Sequence, residues 1–206
     1  MWRSLLCVFF VSVGVTGAGL AGCAVKPRSY APDVPAPLLS LPEIPQRIDA
    51  EDELAWVSAE RAFVLVDKSC GTVNLYQYGH LTKTYPAVFG RNPGKKSHEG
   101  DQRTPSGLYM IIDKGQHARW RRFIRLDYPN ANDRVRYWKS LEEGKIPKRA
   151  DGYPGPGGAI GIHGTDNEAF NRAKINWTFG CISLFNKDVQ ELDSFVTVGT
   201  LVYIKD

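Results

Sequence analysis

The chain predicts a mostly β protein with a few short helices, and three observations carry that expectation. Residues 63–90 alternate β-rich runs with turn residues. Ile160 and Ile162, and again Ile182 and Leu184, alternate with small or polar neighbours at the two-residue period of a strand. A clear helical period shows only near the C-terminus.

Taken in order, Phe63-Val64-Leu65-Val66 and Val73-Asn74-Leu75-Tyr76 read as paired strands across Ser69-Cys70-Gly71, which puts Cys70 at a hairpin tip. Tyr78-Gly79-His80 is a second turn, and another extended run ends near Phe89-Gly90. Pro105-Ser106-Gly107 turns the chain into a further strand. Residues 128–158 hold Pro129, Pro147, Pro154, Pro156 and the run DGYPGPGG, the mark of a functional or mobile loop. A short helix fits around Arg134 to Leu141.

In GAIGIHG, Ile160 and Ile162 face a core, so His163 points to the other side, beside small residues that leave it room. In GCISL, Cys181 and Ser183 likewise lie opposite Ile182 and Leu184. NKDVQELDSFV is an amphipathic helix with Asn186 or Asp188 near its start and Val189, Leu192 and Val196 along one side. GTLVYI closes the chain as a strand.

The first residues combine Arg3, an apolar run from Leu5 and small residues before Cys23, the layout of an export signal. Gly14, Gly17 and Gly19 weaken the run as a membrane span. Leu20-Ala21-Gly22-Cys23 resembles the lipobox of bacterial lipoproteins, which implies cleavage before Cys23, lipid on it, and, with Ala24 next, an outer-membrane anchor facing the periplasm. The alternative is an ordinary signal that contains a cysteine. Six of the thirteen prolines fall between residues 24 and 50, as in an extended tether. The division expected is a signal peptide at 1–22, lipidated Cys23 with a Pro-rich tether at 23–51, and one catalytic-sized domain at 52–206.

The net charge of +4 over 206 residues gives no reason to expect nucleic acid. Residues 112–150 carry eleven basic residues against five acidic ones. That excess is either a solvated surface with local ion pairs or a rim attracting an anionic polymer. His80, His98 and His117 lack metal-ligand spacing, so no metal and no organic cofactor is expected.

With Cys7 and Cys23 assigned to the leader and the anchor, Cys70 and Cys181 remain. Cys181 could be packing, half of a bridge to Cys70, or a nucleophile. A thiol becomes reactive beside an imidazole, and His163 is the candidate partner on the same side of the strands. Gly180 would let backbone amides at 180 and 181 approach a developing oxyanion. From residue chemistry the three readings stay open.

IHGT…WTFGCISLFNKD resembles the signature of the YkuD-type L,D-transpeptidases, with His163, Gly164, Thr178, Gly180, Cys181, Asn186 and Asp188 on matching positions. EGDQRTPSGLYMI resembles the same family's strand entry, and the likeness runs over most of Phe63 to Ile204. It implies a β-sandwich or barrel-like YkuD-type fold, Cys181 as nucleophile, His163 as base, the Gly164 carbonyl orienting the imidazole, and Thr178 and Gly180 in support. It implies peptidoglycan stem peptides as substrate, through a thioester that an amine resolves into a 3→3 cross-link or a protein attachment. Water in place of the amine would give carboxypeptidase or amidase products; a wall-binding lipoprotein without turnover is the third reading. Phe179 and Ser183 stand where many members carry a second histidine and an arginine. The WTFGC form and Leu126–Arg134 look closer to a divergent branch that includes hydrolases.

Overall fold

The computed structural model describes residues 62–206. The expected signal, Cys23 and tether lie outside the described residues. Eight strands occur among them: β1 (Phe63–Asp67), β2 (Thr72–Gln77), β3 (His80–Pro86), β4 (Gly107–His117), β5 (Arg121–Leu126), β6 (Gly161–His163), β7 (Ile182–Ser183) and β8 (Leu201–Lys205). The helices are α1 (Ala131–Glu142), α2 (Glu168–Arg172) and α3 (Asn186–Phe195).

One sheet runs β3-β2-β1-β8-β4-β5-β6-β7. Its β1–β8 and β6–β7 pairs are parallel and the others antiparallel. Beyond β3 the chain returns to the far end of that order. There Val88 N–H donates to Ser183 O at 3.0 Å and Ser183 N–H to Val88 O at 2.8 Å. The sheet therefore curls back on itself, the mostly β barrel-like architecture expected.

The curl encloses one core. Val64 and Val66 from β1, Ile124 and Leu126 from β5, Ile162 from β6, Ile182 from β7 and Val202 and Ile204 from β8 are fully buried in it. Their alternation with outward-facing neighbours is the period read from the sequence. α3 lays Val189 and Leu192 over β5 and β6, closing the core at the end that carries His163 and Cys181. Each such aliphatic side chain contributes roughly 1.5–3 kcal/mol by leaving water.

The pattern reading missed three features. β4 continues to His117 and turns back into β5, so much of the basic stretch lies on a hairpin. α1 is longer than expected and starts at a capping box, where the Asn130 side chain accepts from Asp133 N and Asp133 accepts from Asn130 N. α2 was not foreseen. α3 starts at Asn186 with Asp188 in its first turn, as expected, and its N-cap is Phe185, without a side-chain cap bond. Asn186 is otherwise engaged: its amide brackets Thr165, accepting from N–H at 2.9 Å and donating to the carbonyl at 2.8 Å. The glycine-rich stretch is irregular, as expected, and two tyrosines hold it: Tyr137 and Tyr128 hydroxyls donate to the carbonyls of Pro154 and Pro156, each at 2.9 Å.

Candidate active site

The parallel pairing of β6 and β7 sets Ile162 opposite Ile182 and His163 opposite Ser183. Residues directly opposite point to the same face, so Gly161, His163, Cys181 and Ser183 share the side away from the core isoleucines. That much of the sequence reading holds. The open room expected around His163 does not exist. The residue is 1% exposed. Trp120 stacks on its ring at 4.3 Å and 19°, Phe123 lies 5.9 Å away at 10°, and Trp177 meets it edge-on at 5.9 Å. Gly161 makes space for these rings rather than for the histidine, since a Cβ there would sit 2.7 Å from Phe123 Cζ.

His163 Nδ1 is 2.6 Å from Gly164 O. A carbonyl only accepts, so Nδ1 carries the hydrogen, and in the neutral ring Nε2 is left as the acceptor. Gly164 O is in turn fixed: Ser183 Oγ donates to it at 3.4 Å, Asn171 Nδ2 donates to Ser183 Oγ at 3.1 Å, and Trp177 Nε1 donates to Asn171 Oδ1 at 3.1 Å. Gly164 N–H donates to Trp120 O at 3.1 Å. Ser183 is wholly buried in this network. Asn171 and Trp120 escaped the sequence reading, because neither sits in a periodic or motif position.

Thr178 shapes the turn before the cysteine. Its hydroxyl donates to Cys181 O at 2.7 Å and accepts from Gly180 N–H at 3.1 Å. Gly180 has φ +132°, and a Cβ there would lie 2.7 Å from Arg103 O, so only glycine fits. Two expectations need correction. The Gly180 amide is taken by Thr178 and is not free for an oxyanion. The Cys181 sulfur makes no hydrogen bond to His163; it donates to Ala159 O at 3.5 Å and accepts from the Gly161 backbone. Cys181 is a free thiol, so no bridge joins it to Cys70 in the β1–β2 turn.

Burial decides the charge state of both groups. It pushes the Cys181 thiol up to about 11, with the Gly161 amide and Lys96 pulling the other way. Burial also draws His163 down to about 4, against the hydrogen bond to Gly164. At neutral pH the pair rests as thiol and imidazole. Lys96, the cation acting on the sulfur, is itself buried and ion-paired to Asp101 at 2.7 Å. Asp101 also accepts from Ser97 N at 2.7 Å and Arg103 N at 3.1 Å.

At the rim, Phe179 is 66% exposed, with the Arg91 guanidinium 5.0 Å over its ring and Arg91 Nε donating to Trp177 O at 3.1 Å. Much of the basic stretch is paired locally: Arg119 with Asp166 at 2.6 Å, Arg122 and Lys114 with Asp193 at 3.3 and 3.5 Å, and Arg136 with Asp133. These local ion pairs, of which Arg119–Asp166 is exposed while Asp133 and Asp193 are buried, account for much of the basic excess. Among the described residues no group of three His, Cys, Asp or Glu side chains is placed to hold a metal ion.

Similarity to known proteins agrees with this geometry. The family model of YkuD, the L,D-transpeptidase catalytic domain, matches residues 61–204. A Bacillus licheniformis protein named for L,D-transpeptidase YkuD is 29% identical over 134 residues, 65% of this chain and 59% of the relative. The helical cell shape determining protein Pgp2 of Campylobacter jejuni superposes with TM-score 0.52 at 25% identity, over 71% of this chain and 48% of that one. Its K307A mutant gives 0.50 at 23% identity, over 71% and 47%. The chain thus spans under two thirds of the curated relative and about half of Pgp2.

Proposed function

The chain belongs to the YkuD family of L,D-transpeptidase catalytic domains, and from that premise we propose that it is a cysteine-dependent acyltransferase acting on peptidoglycan stem peptides. The Cys181 sulfur attacks the carbonyl of the diaminopimelate residue in a tetrapeptide stem. His163 Nε2 takes the thiol proton as the carbon–sulfur bond forms and returns it to the departing amine of D-Ala. The resulting thioester is resolved by an amine of a second stem, which gives a 3→3 cross-link, or by an amine of a protein bound for the wall. The amide of Cys181 is the donor of the 180–181 pair that Thr178 does not engage, and it faces the developing oxyanion. No cofactor enters these steps.

The observation that carries this reading is the co-facial placement of His163, on β6, and Cys181, immediately before the paired parallel strand β7, with Nδ1–H held by Gly164 O so that Nε2 is the free base. Anchoring through lipid on Cys23, in the outer membrane and facing the periplasm, belongs to the same proposal.

The test is intact-mass spectrometry after exposure to a carbapenem, followed by analysis of products from purified tetrapeptide stems. An adduct absent from Cys181→Ala, together with cross-linked dimers, supports transfer; tripeptide alone assigns the thioester to water. The second reading, a wall-binding lipoprotein without turnover, is favoured by the thiol's bond to Ala159 O in place of His163. A folded, reduced protein that takes no adduct would establish it.

A further inference from the structure

We propose that Trp120 is a positioning residue for the His163 base: its indole, stacked on both His163 and His117, fixes the plane in which His163 meets the thiol. The inference rests on the assignment of Cys181 and His163 as nucleophile and base. Trp120 lies in the turn of the β4–β5 hairpin. One face of its ring stacks on His163 at 4.3 Å and 19°; it also stacks on His117 at 4.5 Å and 13°. The three rings form a pile reaching from the hairpin to the site.

The same residue holds the site a second way. Trp120 O accepts from Gly164 N–H at 3.1 Å, and a Cβ on Gly164 would lie 2.6 Å from that oxygen. Gly164 is also the residue whose carbonyl takes His163 Nδ1. That hydrogen bond fixes one ring nitrogen but leaves the ring free to tilt about it. A flat stacked neighbour removes the tilt, and Phe123, nearly parallel at 10°, is too far away at 5.9 Å to do so alone.

The indole does not act through its N–H. Trp120 Nε1 is buried and has no hydrogen-bond partner, a state that costs on the order of 1–3 kcal/mol. What it supplies is a flat apolar surface against an imidazole, and with it exclusion of water from the base. The charged and titratable groups that act on His163 are His117 from β4, Arg119 from the hairpin turn and Asp166 from the loop after β6, the last two paired at 2.6 Å. Of these, His117 stacks on the indole and the Arg119 guanidinium lies 5.9 Å over it, so Trp120→Phe, which keeps a flat ring in place, is the control for their positions.

The experiment is a pH titration of the His163 ring by NMR in the wild type, Trp120→Phe and Trp120→Ala, with the rate of Cys181 acylation by a carbapenem measured beside it. Trp120→Phe keeps the stack and is expected to titrate within half a unit of the wild type and acylate within about threefold of it. Trp120→Ala is expected to raise the midpoint by more than one unit toward the ordinary histidine value and to slow acylation at pH 7 by about tenfold or more. A Trp120→Ala ring that titrates as the wild type does, with an unchanged rate, overturns the proposal. So does a Trp120→Phe variant as impaired as the alanine. Trp120→Leu fills the space without a flat ring and covers failure of the alanine variant to fold: tenfold slower acylation supports the role and an unchanged rate overturns it. The ring titration needs no turnover, so absence of acylation in the wild type would defeat the enzymatic reading separately.

Discussion

His163 on β6 and Cys181, just before the parallel strand β7, stand on one face, yet the sulfur donates to Ala159 O rather than to the imidazole. With the ring drawn down to about 4 and the thiol pushed up to about 11, both by burial, a resting thiolate–imidazolium pair is unfavourable. In the proposed mechanism, proton transfer therefore accompanies attack on a bound carbonyl instead of preceding it. Alkylation of free Cys181 by iodoacetamide is expected to keep rising through pH 7–10. A plateau below pH 8 would show a resting thiolate and contradict the assignment.

The same burial links His163 to acid stability. Its folded value, about 4, lies below the ordinary 6.5, so the unfolded chain takes up the proton first as pH falls. The contribution is intact above pH 6.5 and is lost between 6.5 and about 4, amounting to about 3 kcal/mol. His163→Gln should flatten that part of the stability–pH curve in urea denaturation; an unchanged slope over this window would refute the link.

Asp101 holds a buried cation. Burial raises its carboxyl, but the bonds from Lys96, Ser97 and Arg103 outweigh it and the net shift is downward. Asp101→Asn leaves Lys96 buried without its counter-charge and is expected to cost about 3–5 kcal/mol in urea denaturation. Replacing both, Lys96→Met with Asp101→Leu, should recover part of that loss.

Thr178 ties the turn that presents the nucleophile. Thr178→Val keeps the shape and removes both bonds of the hydroxyl, to Cys181 O and from Gly180 N. A loss of about 1–3 kcal/mol in stability is expected, with slower carbapenem acylation of Cys181. Thr178→Ser keeps the hydroxyl and should acylate at close to the wild-type rate. Equal rates in Val and Ser variants would leave Thr178 no part in presenting the thiol.

Local period made the two strands legible. Ile160 and Ile162 against His163, and Ile182 and Leu184 against Cys181, say which side each chemical group takes, because a strand has only two sides. The surroundings of each group were not legible. Trp120 reaches His163 through a hairpin whose return strand, RRFIRL, looks in sequence like charge with a few apolar interruptions. The thiol's acceptor depends on Ala159, a non-glycine residue at φ +53° that no turn signal announces. Gly161, read as room for a histidine, instead admits Phe123, since a missing side chain does not say which neighbour fills the gap. Asn186 was read as a helix start and is one in position, but its side chain serves Thr165.

The pair of hydrogen bonds between Val88 and Ser183 turns the last strand of the sheet into a seam. The outer margin of β7 is occupied by the protein's own chain, so a foreign strand has no free ladder to join beside the nucleophile. The seam also ties the segment just after β3 to Ser183, two residues from Cys181, so the end of the β2–β3 ribbon and the strand beside the nucleophile are held together directly.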